Sequence, residues 1–282
     1  MPAFPDIRIV LIGTTHPGNI GAAARAMKTM GLSELRLVSP RVFPSSDATA
    51  LAAGADDVLA RAVVYDTLEQ AIAGCTVVVG VSARPRSITC PLFAPREGMQ
   101  KLADEAAGER VAVLFGREHS GLTNAEMDRC RYQLRIPTDP DFPSLNLAAA
   151  VQVIAYEIQL ARLASEAVTE PPAVAAGTGA PMADARTGAA AGGGAVDAAE
   201  MERFYHHLEA VLVETGFLDP ARPRHLMRRL RRLYNRAQPD RNEINILRGI
   251  LTAVRSYAEQ VRRNPPSALR ATSPAGGGKE TD

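Results

Sequence analysis

Residues 1–165 predict an α/β fold with a mostly parallel sheet, because short β-like runs alternate there with helical patterns. Two further observations support this. Several of the runs are continuously apolar, as expected of strands covered on both faces. Polar Gly/Pro loops follow their carboxyl ends, where open α/β sheets bind ligands.

The strands read as Ile7–Ile12, Leu35–Val38, Val63–Tyr65, Thr76–Val81, Val111–Phe115 and Tyr132–Ile136. Helical patterns fall between them at Gly18–Met30, Ala48–Leu59, Leu68–Ala73, Arg96–Ala107 and Asn124–Arg129, and a longer helix, Leu145–Leu163, closes the unit. Residues 166–197 carry Ala, Gly, Pro and Thr with almost no large apolar side chain, the composition of a flexible linker. Periodicity resumes in Met201–Thr215, Pro223–Ala237 and Asn242–Val261, three helices of a smaller unit over 198–263. Residues 264–282 read as a disordered tail.

Hydrophobic residues make up 46% of the 282, enough to bury a sizeable core, and the absence of tryptophan leaves that core to Val, Leu, Ile and Ala. The 32 basic and 31 acidic residues nearly cancel, so only their placement is informative. Cys75, Cys90 and Cys130 form neither a CxxC pair nor a disulfide framework, which suits a reducing cytoplasm and gives no metal site. The first residues lack the pattern of a signal peptide. No run approaches 18 apolar residues, so no membrane span is expected.

Five segments can carry chemistry. GTTHPGNIGAAAR, at 13–25, follows the first strand and opens a helix, so its amides can meet an anion; it also reads as a plain turn with Asn19 as cap. It is neither GxGxxG nor a P-loop, which disfavours a nicotinamide dehydrogenase. Arg25 interrupts an otherwise small-residue face. In VAVLFGREHSGL, at 111–122, Gly116 would admit a ligand close to the backbone, while Arg117 and Glu118 read equally well as solvated. IPTDPDFPSLNLAAA brings Ser144 and Asn146 to a helix start, where either can be a cap. GVSARPR, at 80–86, is a polar loop at another strand end. In RHLMRRLRRLYNRA, Leu226, Leu230 and Leu233 line one face, and Arg224, Arg228, Arg232 and Arg236 form a ridge with Arg231 beside it. Residues 201–263 hold 13 Arg against seven acidic residues, so the ridge reads as an RNA phosphate contact.

Taken in order, IRIVLIGTTHPGNIGAAARAMKTMGLSELRLVSP, LFGREHSGLTN and PSLNLAAAVQVIAYE resemble the three motifs of the SPOUT RNA methyltransferases. The resemblance is dense over 6–164 and resumes in MERFYHHLE and NEINILRGIL. It implies a trefoil-knotted α/β fold, a homodimer with a shared active site, S-adenosylmethionine as cofactor, no metal, and tRNA as partner. The implied reaction is 2′-O-methylation of cytidine or uridine at position 32 of the anticodon loop. An rRNA or another tRNA position, or a non-catalytic RNA-binding role, is the alternative. Residue by residue, Asn19, Arg25 and Ser144 fall on catalytic positions. Val81, Ser82, Ala83, Gly116, Ile136, Pro143, Ser144, Leu145 and Asn146 fall on the cofactor loops.

Overall fold

The computed structural model describes residues 4–84, 90–169 and 195–263. Most of the expected linker, the tail, and Pro85 and Arg86 of the GVSARPR loop lie outside them.

Strands β1 (Asp6–Ile12), β2 (Glu34–Val38), β3 (Val63–Tyr65), β4 (Val77–Val81), β5 (Leu92–Phe93), β6 (Arg110–Phe115) and β7 (Tyr132–Leu134) form one sheet. Its order is β3-β2-β1-β6-β4-β7-β5, and every pairing is parallel. The fold class is as predicted. Helices α1 (Pro17–Thr29), α2 (Ser46–Ala52), α3 (Asp56–Arg61), α4 (Leu68–Ile72), α5 (Pro95–Glu105), α6 (Asn124–Met127) and α7 (Leu147–Thr169) connect and cover it.

Strand alternation divides the core in two. Ile9 and Leu11 of β1 face α1, α5 and α7, where Ile20, Met27, Met99, Leu102, Val151 and Ile154 meet them. Val10 and Ile12 face the opposite way, onto Leu68, Ile72 and Met127 of α4 and α6. Arg8 shares this second face and is nearly buried; its guanidinium donates to the carbonyls of Ala71 (2.8 Å) and Ala73 (3.1 Å), satisfying the end of α4.

Three local expectations change. The helix expected over 48–59 is two helices, because Ala53 and Gly54 take left-handed φ of 43° and 90°. Strand β5 was missed: two residues carry no readable period, and only pairing with β7 defines them. Helix α7 runs to Thr169, into the segment expected to be linker. Among the described residues α7 alone is long and apolar enough to cross a membrane. Its Val151, Ile154, Ala155 and Ile158 are instead buried against the sheet, as in a core helix.

Helices α8 (Ala198–Glu214), α9 (Leu226–Ala237) and α10 (Arg241–Arg263) form the extension. It has its own core of Phe204, Tyr205, Leu208 and Ile244, closed by Met227, Leu230 and Tyr234. Leu233, expected on that apolar face, is 45% exposed.

The tightest helix contact is between α1 and α2. A Cβ on Gly21 would sit 1.9 Å from the Ala48 carbonyl oxygen, and that backbone cannot yield cheaply. Gly21→Ala should therefore destabilise the fold by about 1–3 kcal/mol, despite its gain in helix propensity. Urea denaturation checks this; an unchanged midpoint would show that the two helices can separate freely.

Candidate active site

Strands β4, β6 and β7 end near one another, and the loops after them enclose a cleft. Its walls bring together Val81, Ser82, Ala83, Gly116, Ile136, Pro143, Ser144 and Leu145. Gln133, buried in β7, donates from Nε2 to the Ser82 carbonyl at 2.7 Å, and the Ser82 amide donates to the Leu134 carbonyl at 3.1 Å. These bonds fix the end of β4. Thr138 Oγ1 donates to the Pro143 carbonyl at 3.1 Å and closes the Pro/Asp loop, leaving Ser144 and Leu145 exposed at the rim.

Gly116 is required by the folded loop itself. A Cβ there would lie 2.1 Å from the Gly121 carbonyl carbon and 2.2 Å from the Leu122 nitrogen. The chain folds back on itself, with Arg117 and Gly121 exchanging backbone hydrogen bonds at 3.2 and 2.8 Å. Close approach of backbone is by itself enough to dictate the glycine.

The reading of Arg117 and Glu118 as solvated does not hold. Arg117 lines the cleft and pairs with Glu126 at 3.0 Å. The Glu118 carboxylate accepts from the Thr15 amide (3.1 Å), the Thr15 hydroxyl (3.0 Å), the His16 amide (3.2 Å) and Asn19 Nδ2 (3.0 Å). A signal for it was present. Helix α1 begins His16-Pro17 with no side-chain cap, so its free amides need an acceptor from elsewhere in the chain. Glu118 supplies that acceptor with a negative charge at the helix N-terminus. Burial pulls its carboxyl up, but the Asn19 and backbone hydrogen bonds outweigh this and hold it at about 2.

Asn19 accepts in turn from Asn146 Nδ2 at 3.0 Å. Asn146 Oδ1 accepts from the amides of Ala148 (2.8 Å) and Ala149 (3.4 Å) and so caps α7. Asn146, expected on the cofactor, does not line the cleft. Asn19 is likewise engaged within the chain. Arg25 is not brought to this cleft either. It lies six residues beyond Asn19, roughly 9 Å along the helix and about 120° around it. It is exposed, and its side chain makes no hydrogen bond or ion pair among the described residues.

The arginine ridge also divides. Arg224 precedes α9, at φ 49°, so it is not part of the helical ridge. Arg228 donates from Nε to Asp128 at 2.6 Å, and Arg231 forks onto Glu202 and stacks on Tyr205 at 4.4 Å. Arg232 lies beside the buried Cys90 thiol. These three are half-buried, while Arg224, Arg229 and Arg236 stay exposed.

Comparison with known proteins agrees with this architecture. Residues 6–156 match the SpoU rRNA Methylase family, and residues 199–265 match the C-terminal domain of the tRNA methyltransferase TrmJ. The chain belongs to the SpoU methylase family and, within it, to the TrmJ methyltransferases. It is 52% identical to the tRNA (cytidine/uridine/adenosine-2′-O-)-methyltransferase TrmJ of Pseudomonas aeruginosa, over 89% of this chain and 95% of that one. It is 48% identical to the tRNA (cytidine/uridine-2′-O-)-methyltransferase TrmJ of Photorhabdus laumondii, over 90% and 99%. Among solved structures, TrmJ from Z. mobilis ZM4 superposes with a TM-score of 0.72 at 33% identity, covering 89% of this chain and 99% of that chain. A probable methylase family protein from Haemophilus influenzae gives 0.56 at 39%, covering 91% and 99%.

The Glu118 carboxyl lies below its ordinary 4.5 in the folded chain, so its stabilisation is complete above pH about 4.5 and fades as pH falls toward about 2. Glu118→Gln should lower stability at neutral pH by about 1 kcal/mol once solvent screening is allowed for. The wild-type and variant stability curves should then converge in acid. Urea midpoints measured from pH 7 down to pH 3 check this; curves that stay parallel would show that the carboxylate charge does not matter.

Proposed function

We propose that this chain methylates the 2′-oxygen of a tRNA ribose, cytidine or uridine 32 of the anticodon loop, with S-adenosylmethionine as cofactor. The observation that carries this reading is the cleft at the strand ends, held by Glu118 and Asn19, with an unpaired cationic Arg25 outside it. The names of the relatives support the reaction, and the match of 199–265 to a TrmJ domain favours tRNA over rRNA. The proposal includes a cytoplasmic homodimer, the trefoil knot, and the division into a methyltransferase domain (1–165), a linker (166–197), an RNA-binding extension (198–263) and a tail (264–282).

The cleft suits the cofactor's chemistry. Val81, Phe115, Ile136 and Leu147 offer apolar surface, Ser82, Thr138 and Ser144 offer hydroxyls, and Glu118 offers a carboxylate to a ligand that carries positive charge. When bound, S-adenosylmethionine supplies a sulfonium methyl open to displacement by an oxygen nucleophile. Ser82, Ala83, Gly116, Ile136, Pro143, Ser144 and Leu145 would hold it. Asn19 and Asn146 keep the α1 and α7 starts in register beside the cleft, which orients the ribose. A guanidinium stays protonated, so Arg25 serves as a cation that stabilises the developing alkoxide and grips the neighbouring phosphate. The hydroxyl proton then leaves to water held beside Asn19 or to a phosphate oxygen. In the extension, the exposed Arg224 and Arg236, joined by Arg229, contact RNA; Arg228, Arg231 and Arg232 dock the helix.

Purified protein, S-adenosylmethionine and unmodified tRNA, followed by mass mapping of the product, test the reaction. Methylation of another nucleotide or of rRNA alone would overturn the substrate assignment, and no methylation would overturn the activity.

Arg25 lies outside its own cleft, so the reading places it at the partner's. Arg25→Ala should abolish transfer while leaving cofactor affinity unchanged. Ala83→Trp, at an exposed cleft position, should block binding. Each homodimer should be inactive. Refolded as an equal mixture, half of the dimers pair one of each, with one intact site in two, so activity should return to about one quarter of wild type. An inactive mixture, with mixed dimers confirmed by mass spectrometry, would place Arg25 at its own subunit's cleft.

A further inference from the structure

Two walls of the cleft rest on one helical turn. Glu126 of α6 holds Arg117 in the cleft wall at 3.0 and 3.3 Å. Met127, next in sequence, fills the space beside Gly80: a Cβ there would lie 2.6 Å from Met127 Sδ and 3.0 Å from Cys130 Sγ. Gly80 leads directly into Val81 and Ser82 on the other wall. The place of α6 therefore sets the position of both walls.

The residue that ends this turn is Asp128. It faces away from the cleft, toward the extension. Its Oδ2 accepts from Arg228 Nε at 2.6 Å, and its carbonyl accepts from Asn235 Nδ2 at 3.2 Å. The ion pair is largely shielded, with side-chain exposures of 21% for Arg228 and 11% for Asp128, so solvent screens it little. Arg129, the next residue, lies 3.7 Å from Glu202 of α8.

We infer that Asp128 is a positioning residue that couples the docking of the extension to the cofactor cleft. Arg228 on α9 holds Asp128, Asp128 fixes α6, and α6 sets Arg117 on one wall and Gly80 to Ser82 on the other. With the extension docked the cleft is held in binding geometry. When Arg228 lets go, α6 loses one of its outer anchors and the cleft loosens. Cofactor in the cleft and tRNA on the extension therefore strengthen each other's binding by the same factor, as linkage requires. The test measures this coupling directly. The inference rests on reading the cleft as an S-adenosylmethionine site.

The test uses the full chain and S-adenosylhomocysteine as the calorimetric probe. Asp128→Asn and Arg228→Ala, neither of which lines the cleft, should each weaken binding about fivefold, within the usual range of coupling between sites. The double variant should be no weaker than either single one, because both break the same link. Arg228→Lys, which keeps the charge and loses the Nε donor, should recover part of the affinity. Should Arg228→Ala melt early, Arg228→Lys and Asp128→Asn carry the test. The second readout is tRNA affinity with and without the probe. Its enhancement by the probe should exceed one in the wild type and fall to one in Asp128→Asn. Unchanged probe affinity in folded Asp128→Asn and Arg228→Lys, or the same tRNA enhancement as wild type, overturns the coupling. Failure of the wild type itself to bind the probe would overturn the cofactor assignment instead.

Discussion

One carboxylate organises the site. Glu118, on the loop after β6, takes the hydrogen-bond donors that α1 cannot satisfy locally: the amides of Thr15 and His16, the Thr15 hydroxyl and the Asn19 side chain. Through Asn19 it reaches Asn146, the cap of α7. Three segments about 100 and 30 residues apart in the chain are thus joined by a short polar chain. Each link satisfies a group that would otherwise be left unpaired at a helix end. Capping of helices and construction of the site are here the same set of bonds.

The rest of the fold serves this junction. The all-parallel sheet brings the ends of β4, β6 and β7 to one edge of the molecule. Its two covered faces give the rigidity that a cleft made of loops lacks. The extension meets this body partly through polar contacts: Arg228 with Asp128, Asn235 with the Asp128 carbonyl, and the Ala198 amide on the Cys75 carbonyl at 2.9 Å. Its own aromatic core is separate, with Phe204 and Tyr234 edge to face at 4.8 Å. The extension is thus a unit with its own core, docked in part by hydrogen bonds and ion pairs.

What was legible in the sequence was local. Apolar runs such as VVVGV and VAVLF marked strands, because burial on both faces leaves little room for polar residues. The three helices of the extension followed from their periodicity. The cleft positions were legible through the motifs, and eight of the nine line one cleft. What was not legible depended on distant contacts. Glu118 looked like a loop residue because its partners lie about 100 positions earlier. Gly116 has its backbone neighbours at 121 and 122, which only the folded loop shows. Arg228 and Arg231 looked like members of a solvent-facing ridge because helical spacing cannot tell solvent from a neighbouring domain.

The order of strands also bears on how the chain comes into being. β1 is made first and lies between β2 and β6, and β6 starts only at Arg110. During synthesis the seven residues of β1, five of them apolar, have one neighbour available and lack the other until about a hundred more residues have emerged. The acceptor for the start of α1 arrives a few residues later still. The nascent amino-terminal half thus presents an unpaired apolar strand edge for several seconds at ordinary rates of translation. Completion of the sheet around β1 therefore waits on β6, which supplies its second neighbour.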